Sequence, residues 1–351
     1  MKTKGKFFLV FLVMVILLIA GAGIVIYSQI MPASTASADD VRFEISQGDS
    51  VKKIALELKN KGLIKNDTFF YYFVRSPSIF QFLFKNETVN EPVVLKSGIY
   101  HLNASMNYAQ IVNILSSGQQ EYIVVSIPEG KTISQTGRIL EENSICKAID
   151  FILVCHDKQF LQSYSIKGES AEGFLFPDTY FLTSGMTARE VAELMIKTFY
   201  EKISGIEGFD IKTPEKLYET VILASIVERE YRVEEEAPLI ASVFTNRLRH
   251  NIGLYSCATI VYILTEIEGR DHPDRILLED TKIDSPYNTY KWAGLPPGPI
   301  SNPGLVALKA AANPPKTDYY FFQVADANEG RHVFTSTFDE HKASHNLSTK
   351  R

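Results

Sequence analysis

The chain has 351 residues, of which 45% are hydrophobic and 22% are charged, so it can form one to three folded domains. The formal net charge of −5 argues against a nucleic-acid-binding protein, because no basic excess is present to neutralise phosphates. Three cysteines are too few for a disulfide scaffold or a four-cysteine zinc module. These numbers leave a globular protein whose apolar residues are unevenly distributed.

The uneven part is an uncharged apolar block over residues 7–27, preceded by three lysines within residues 1–6. A helix of that length spans about 30 Å, the thickness of one bilayer core. Positive flanks stay in the cytoplasm, so the block predicts a cytoplasmic tail over 1–6 and a transmembrane anchor over 7–27. The rest of the chain is then expected outside the cytoplasm.

A cleaved signal peptide is the alternative interpretation of this block. Ala36-Ser37-Ala38 has the small-x-small form that signal cleavage requires. However, the apolar core of a signal peptide is about 7–15 residues long, which favours an uncleaved anchor here. No second apolar run approaches membrane length, so a single-span protein is expected.

After a small-residue linker over 28–40, one pattern of strand, glycine turn and hydroxyl N-cap occurs twice, at 45–55 and 127–137. In the first copy Ser50 is the expected N-cap. In the second, Thr132 and Gln135 form a capping box. Together with a strand over 98–102 and a helix that Gly118 closes, the first copy predicts a small α+β module over 41–118. The second copy lies in an intermediate α+β segment over 119–212.

A third region, over 213–351, begins with a clear helix start, in which Thr213 is the N-cap and Pro214 the first helical residue. This helix is predicted to run to about Arg232, and a second helix begins near Pro238. Next come a loop rich in Pro, Gly and Asn, a helix over 305–312 and a β-hairpin over 319–335. Such a composition in an ordered region is typical of a loop that lines a site.

The most informative single residue is Glu228. It extends the apolar stripe formed by Leu217, Val221 and Ala224 on the predicted helix. Partial desolvation there favours the neutral carboxyl, which can donate a proton. The structural alternative is an ion pair with Arg232, four residues later on the same helix.

Other catalytic patterns are weaker. The segment Gly130-Lys131-Thr132 ends like a phosphate loop, but the first glycine of that motif is replaced by Val125, so nucleotide binding is not expected. His341 and His345 have the spacing of a two-histidine metal face. Their acidic and basic neighbours instead favour a solvated helix, and we expect neither a metal ion nor a cofactor.

Several segments in order make the chain resemble the endolytic murein transglycosylases, the YceG-like family. Ala224-Ser225-Ile226-Val227-Glu228-Arg229-Glu230 is similar to the family's catalytic helix, and residues 243–248 to its Val-Phe-x-Asn-Arg-Leu segment. Further similar blocks are Glu172–Tyr180, Ser285–Tyr290, Gly294–Ile300, Asn302-Pro303-Gly304, and Gly330-x-His332-x-Phe334 followed by His341.

The resemblance implies an α+β protein with the membrane anchor over 7–27 and a LysM-like module over 41–118. It also implies a mixed α+β catalytic domain over 213–351, in which one helix carries the catalytic glutamate. The implied reaction is cleavage of nascent peptidoglycan strands after N-acetylmuramic acid, with 1,6-anhydro ends as products. The implied location is the outer side of the cell membrane, with peptidoglycan synthases as candidate partners.

In this resemblance Glu228 occupies the position of the catalytic acid. The implied substrate-binding residues are Glu230, Asn246, Arg247, Asn288 and Tyr290. For Arg247 an alternative stays open, in which its guanidinium only binds backbone carbonyls or an acid inside the domain. Glu230 is expected about 200° round the helix from Glu228, so the two carboxyls are not expected to share a face.

The chain departs from the family after Leu254, where Tyr255 and Cys257 replace the usual Gln and Asp. This loss supports a second hypothesis, a catalytically weak scaffold that binds murein without cutting it. A third hypothesis is a water-using muramidase, which needs a second carboxylate. The intact Glu228 favours the lytic enzyme.

Overall fold

The computed structural model describes residues 2–34, 39–46, 48–80, 92–118, 122–183, 185–326 and 329–348. The chain divides into two compact units, one comprising residues 1–123 with 183–185, and the other residues 124–182 with 186–351. The predicted intermediate segment and the predicted catalytic domain both fall mostly within the second unit. Both units mix helices with short strands, so the α+β class is confirmed.

The first unit begins with one long helix, whose residues Phe11–Gln29 are apolar and long enough to span a membrane. Ala36-Ser37-Ala38, the alternative cleavage site, lies outside the described residues. The other elements form a small α+β module. In order, the elements of this unit are α1 (Lys2–Ile30), β1 (Val41–Ile45), α2 (Val51–Asn60), α3 (Asp67–Arg75), α4 (Pro77–Phe80), β2 (Gly98–Leu102) and α5 (Tyr108–Ser117).

Strands β1 and β2 of this module pair antiparallel. Their buried side chains form one hydrophobic core with those of α2, α3 and α5. Ser50 caps α2 as predicted, because its side chain accepts from the backbone N–H of Lys53. Two buried tyrosines have partners for their hydroxyls: Tyr108 donates to Asn66 O at 2.8 Å and Tyr100 to Lys96 O at 2.7 Å. These bonds avoid the cost of burying an unpaired hydroxyl.

The second unit is larger and contains the candidate site. Its elements are β3 (Ile123–Ser126), which starts at the unit boundary, α6 (Ile133–Glu142), α7 (Ala148–Cys155), α8 (Lys158–Ser163), β4 (Thr179–Leu182), α9 (Ala188–Ile203), α10 (Pro214–Glu228), α11 (Ala237–Arg249), α12 (Cys257–Tyr262), α13 (Leu305–Ala312), β5 (Phe321–Asp326), β6 (Arg331–Thr335) and α14 (Phe338–Ser348). Strand β3 pairs with β4, and β5 with β6.

The centre of this unit is α10, which packs against α11 and α13. Its residues Val221–Val227 are all buried and, apart from Ser225, apolar, so this part of the helix is enclosed on every side. At its start Pro214 is the first residue, as predicted, but the Thr213 side chain makes no capping bond. The capping box of Thr132 and Gln135 at the start of α6 is confirmed.

The predicted end of α10 at Arg232 is wrong, because the helix ends at Glu228. The backbone N–H groups of Arg229 and Glu230 turn back to Ile226 O and Val227 O, which closes the helix with tight three-residue bonds. Glu228 is therefore the last helical residue. Arg232 lies beyond the end of the helix, so the spacing of four residues no longer places it on the same helix face as Glu228, as the predicted ion pair requires.

Candidate active site

Glu228 presents a partly buried carboxyl at the end of the buried helix α10. Its Oε2 accepts a hydrogen bond from the backbone N–H of Gly304 at 2.9 Å. Its Oε1 accepts a long bond of 3.4 Å from the Tyr231 hydroxyl. The carboxyl is thus held between the end of α10 and the loop that precedes α13.

Burial raises the pKa of Glu228 to about 7, and the negative charge of Glu129 adds to this rise. The Gly304 N–H, the Tyr231 hydroxyl and the Arg229 guanidinium act in the opposite direction, because each favours the charged form. A carboxyl with this pKa is protonated in a large fraction of molecules at neutral pH. It can therefore serve as a proton donor and, after donation, as a proton acceptor.

The turn of the second sequence repeat lies beside Glu228, which the sequence did not indicate. Gly130 has φ +71°, and a side chain built there would place its Cβ 3.6 Å from Glu228 Cγ. The guanidinium of Arg229 donates to Gly130 O at 3.0 Å. The turn predicted only as a helix cap thus forms one wall of the site.

Asn302 joins three segments behind the Glu228 carboxyl, and it is almost fully buried. Its side-chain NH₂ donates to Lys131 O and to the Glu172 carboxyl. Its side-chain oxygen accepts from the backbone N–H groups of Gly173 and Leu175. All the hydrogen-bonding directions of this amide are used to hold loops, which fixes the loop that leads to Gly304.

Glu172 is a second buried carboxyl in this cluster. It accepts from the N–H of Ile133 at the start of α6, at 3.1 and 3.2 Å, and from Asn302 at 2.8 Å. Burial is the main cause that raises its pKa to about 8. Its partners are helix and loop groups, so its visible role is to join α6 to the Asn302 loop.

Glu230 has other hydrogen-bond partners than Glu228. Its carboxylate accepts from the hydroxyl of Ser256, which is the N-cap of α12, and burial raises its pKa. It lines a cavity of about 560 Å³ together with Arg247, Tyr255 and Cys257. Because α10 ends at Glu228, the predicted angle of 200° between the two glutamates does not apply.

Tyr290 contacts a lining residue of the same cavity, Cys257, whose sulfur lies 3.0 Å from the Tyr290 hydroxyl. Tyr255 packs edge-on against the Tyr290 ring at 5.7 Å and is 49% exposed. Tyr255 also adopts φ +51°, a conformation that is uncommon for a large side chain. The two departures from the family pattern are therefore exposed groups on one cavity wall.

Arg247 binds backbone carbonyls, which was one of its two predicted roles. Its Nε donates to Tyr320 O at 2.7 Å and its Nη1 to Leu254 O, and its guanidinium lies between the rings of Tyr255 and Phe321. A guanidinium used in this way stabilises the segment before α12 and the strand β5 against α11.

Asn246 and Asn288 are buried, with 4% and 0% of their surface exposed. Asn246 donates both amide hydrogens to Thr317 O and Tyr319 O. Asn288 donates to Thr281 O and Ile283 O, and its oxygen accepts from the Tyr290 N–H. Both amides are directed at the protein's own loops, and Asn288 fixes the backbone of Tyr290.

The two histidines with metal-site spacing lie on α14. The ring of His341 stacks on Phe321 with centroids 5.3 Å apart, and the side chain of His345 lies outside the described part of the chain. Among the residues that the structure describes, no group of three His, Cys, Asp or Glu side chains could hold a metal ion.

The carboxyl of Glu228 can exchange a proton near neutral pH, and Glu230, two residues later, lines an aromatic-rich cavity. Comparison with known proteins places the chain in a family. A model of the YceG-like family matches residues 43–346, and the chain belongs to that family.

Relatives with assigned names agree with this membership. The endolytic murein transglycosylase of Bacillus subtilis (strain 168) is 31% identical over 342 residues, covering 93% of this chain and 89% of that protein. The protein of the same name from Streptococcus pneumoniae serotype 2 (strain D39 / NCTC 7466) is 29% identical over 364 residues, covering 95% of this chain and 64% of the relative.

A solved structure is also similar. The crystal structure of a yceG-like protein from Listeria monocytogenes matches with a TM-score of 0.56 and 30% identity. The match covers 88% of this chain and 99% of that one. The shared fold therefore extends over most of both chains.

Proposed function

We propose that this chain is a membrane-anchored endolytic lytic transglycosylase of peptidoglycan. It cleaves the glycosidic bond between N-acetylmuramic acid and N-acetylglucosamine in nascent strands, leaves 1,6-anhydro ends, and so limits strand elongation. The names of relatives at about 30% identity support the reaction class. The observation that carries the proposal is the Glu228 carboxyl, whose pKa of about 7 suits both donation and acceptance of a proton.

In the proposed reaction protonated Glu228 gives its proton to the glycosidic oxygen as the bond from the anomeric carbon breaks. The C6 hydroxyl of the same muramic acid then attacks that carbon, and the Glu228 carboxylate takes the hydroxyl proton. No water is consumed, so one carboxyl completes the cycle, whereas an ordinary glycosidase needs two. The Gly304 N–H supports the charged form of Glu228 between the two steps.

The remaining residues divide by what their polar atoms contact. Glu230 lines the cavity and Tyr290 contacts its lining residue Cys257, and we assign both to the glycan. Asn246, Asn288 and Arg247 use their donors on backbone carbonyls, so we assign them to holding the loops of the substrate site. These proposed roles are specific to the contacts that each residue makes in this chain.

The apolar segment Phe11–Gln29 supports a single-pass anchor. With lysines before it, the proposed topology has a cytoplasmic N-terminus and an extracytoplasmic catalytic unit. This location gives access to newly made glycan, which makes peptidoglycan synthases the proposed partners.

The alternative is a murein-binding scaffold with weak catalysis, which is favoured by Tyr255 and Cys257 in the cavity wall. The full-length protein in detergent, incubated with uncrosslinked glycan and analysed by mass spectrometry, separates the two functions. The enzyme gives anhydro-ended fragments that disappear in Glu228→Gln. They persist in Glu219→Gln, which removes the same charge from an exposed position of α10. Identical traces from wild type and Glu228→Gln contradict the enzyme and support the scaffold.

A further inference from the structure

Glu129 is an exposed glutamate that stands next to the residue holding Glu228. A Cβ built on Gly304 would lie 2.5 Å from Glu129 Cγ and 3.2 Å from its Oε1. The N–H of the same Gly304 donates to Glu228 Oε2 at 2.9 Å. The two carboxyl side chains therefore flank a single glycine, and a Cβ on that glycine would force the Glu129 side chain to move.

The backbone that carries Glu129 is fixed by reciprocal bonds. Gly130 N donates to Asn302 O at 2.9 Å, and Asn302 N donates to Lys131 O at 2.8 Å. The guanidinium of Arg229 also binds this turn, because it donates a hydrogen bond to Gly130 O. The backbone that follows Glu129 is thus held by both the loop before α13 and the residue that follows Glu228.

We propose that Glu129 is a positioning residue for the reaction assigned to Glu228, and this inference rests on the proposed function. Its carboxylate, kept beside Gly304, favours the protonated form of Glu228 that donates to the leaving oxygen. Glu129 need not touch the substrate for this role. It acts on the reaction through Glu228.

The physical basis is repulsion between like charges. Two carboxylates that lie close together resist being ionised at the same time, so the more buried one retains its proton. The groups that face Glu228 are Glu129, which favours the neutral form, and Arg229 and Tyr231, which favour the charged form. Glu129 is the acid that acts against the charged form of Glu228, and it is itself exposed to water.

The substitution that tests this role is Glu129→Gln, which removes the charge and keeps the size. The measurement is the pH profile of kcat/KM for the full-length protein in detergent. We expect the alkaline limb of this profile to move to lower pH by about half a unit to one unit. At pH values below the limb, where Glu228 is protonated in both proteins, kcat/KM is expected to change little. Glu219→Gln is the matched control, and it leaves the limb in place.

A titration of the Glu228 carboxyl by carbon-13 NMR separates this inference from the proposed function. The signal is assigned by its loss in Glu228→Gln, and we expect it to titrate at lower pH in Glu129→Gln. If the titration shifts but no anhydro product forms in wild type, the proposed function fails and the positioning role fails with it, although the effect of Glu129 on the Glu228 carboxyl is retained. If product forms and neither the titration nor the limb moves, the inference is overturned.

A third outcome addresses the mode of cleavage. If wild type makes reducing ends and Glu129→Gln makes none, then Glu129 is the base of a water-using muramidase. That outcome overturns both the positioning role and the lytic reaction. If Glu129→Gln changes only the melting temperature and leaves the pH profile intact, Glu129 has a structural role and the inference is overturned.

Discussion

The backbone N–H of Gly304 donates to Oε2 of Glu228 at 2.9 Å, which joins two residues 76 positions apart. This bond places the end of the buried helix α10 against the loop that begins α13. A backbone donor cannot rotate away as a side chain can, so the direction of the Glu228 carboxyl is set by the fold. Catalytic groups that are fixed in this way need less reorganisation during the reaction.

The first prediction concerns Gly304→Ala. Gly304 has φ −80°, which alanine adopts freely, so the backbone tolerates the change. The added Cβ collides with the Glu129 side chain, and we expect a loss of about 1–3 kcal/mol in the free energy of unfolding. The cost is expected to shrink in the Glu129→Ala background, because the colliding atoms are then absent. Equal costs in both backgrounds, measured by urea unfolding, contradict the proximity of these residues.

The second prediction concerns Tyr231→Phe. The Tyr231 hydroxyl donates to Glu228 and lowers the pKa of that carboxyl, so its removal raises the pKa. The alkaline limb of the kcat/KM profile is therefore expected to move to higher pH, opposite to the shift in Glu129→Gln. Because the bond is long, the displacement is expected to be under about one unit. A displacement to lower pH contradicts the assigned hydrogen bond.

The third prediction concerns Asn302→Ala. The substitution leaves the N–H groups of Gly173 and Leu175 without their buried partner and removes one of the two hydrogen bonds to the carbonyl of Lys131. We expect the free energy of unfolding to fall by about 2–4 kcal/mol, together with a loss of activity. Chemical denaturation measures the first effect. A variant with wild-type stability shows that water or neighbouring groups replace these bonds.

The fourth prediction is a dependence of stability on pH. The pKa of Glu172 is about 8 in the folded state against an ordinary value of 4.5, so the folded chain binds more protons across that window. The free energy of unfolding contributed by this group therefore falls as pH rises from 4.5 to 8, by up to about 1.4 kcal/mol per pH unit. Below pH 4.5 the contribution is complete.

The check is the difference in unfolding free energy between wild type and Glu172→Gln, which mimics the protonated carboxyl. This difference is expected to decrease with rising pH and to level off above about pH 8. A difference that is constant over the window shows that Glu172 has an ordinary pKa in the folded chain.

Local signals in the sequence predicted local structure well. Ser50 and Thr132 were predicted as N-caps, and both accept the expected backbone bonds, because capping depends on residues three positions apart. The end of α10 was not predictable in the same way. Its closing turn coincides with contacts to Gly130 and Ser256, which are distant in sequence.

The candidate site could be predicted in part. Glu228 was selected because it continues an apolar stripe, and its partial burial is what raises its pKa. Asn246 and Asn288 were selected for their polar side chains, yet their amides hold loops, since burial decides which partner an amide finds. Glu129 was missed because only the tertiary fold brings its turn to Gly304.

Digestion of uncrosslinked glycan in oxygen-18 water distinguishes cleavage by Glu228 without water from hydrolysis. Mass spectrometry then identifies the new ends. We predict anhydro ends that carry no label, formed by wild type and absent from Glu228→Gln. Labelled reducing ends from wild type would contradict a reaction without water, and undiminished anhydro product from Glu228→Gln would contradict the role of Glu228.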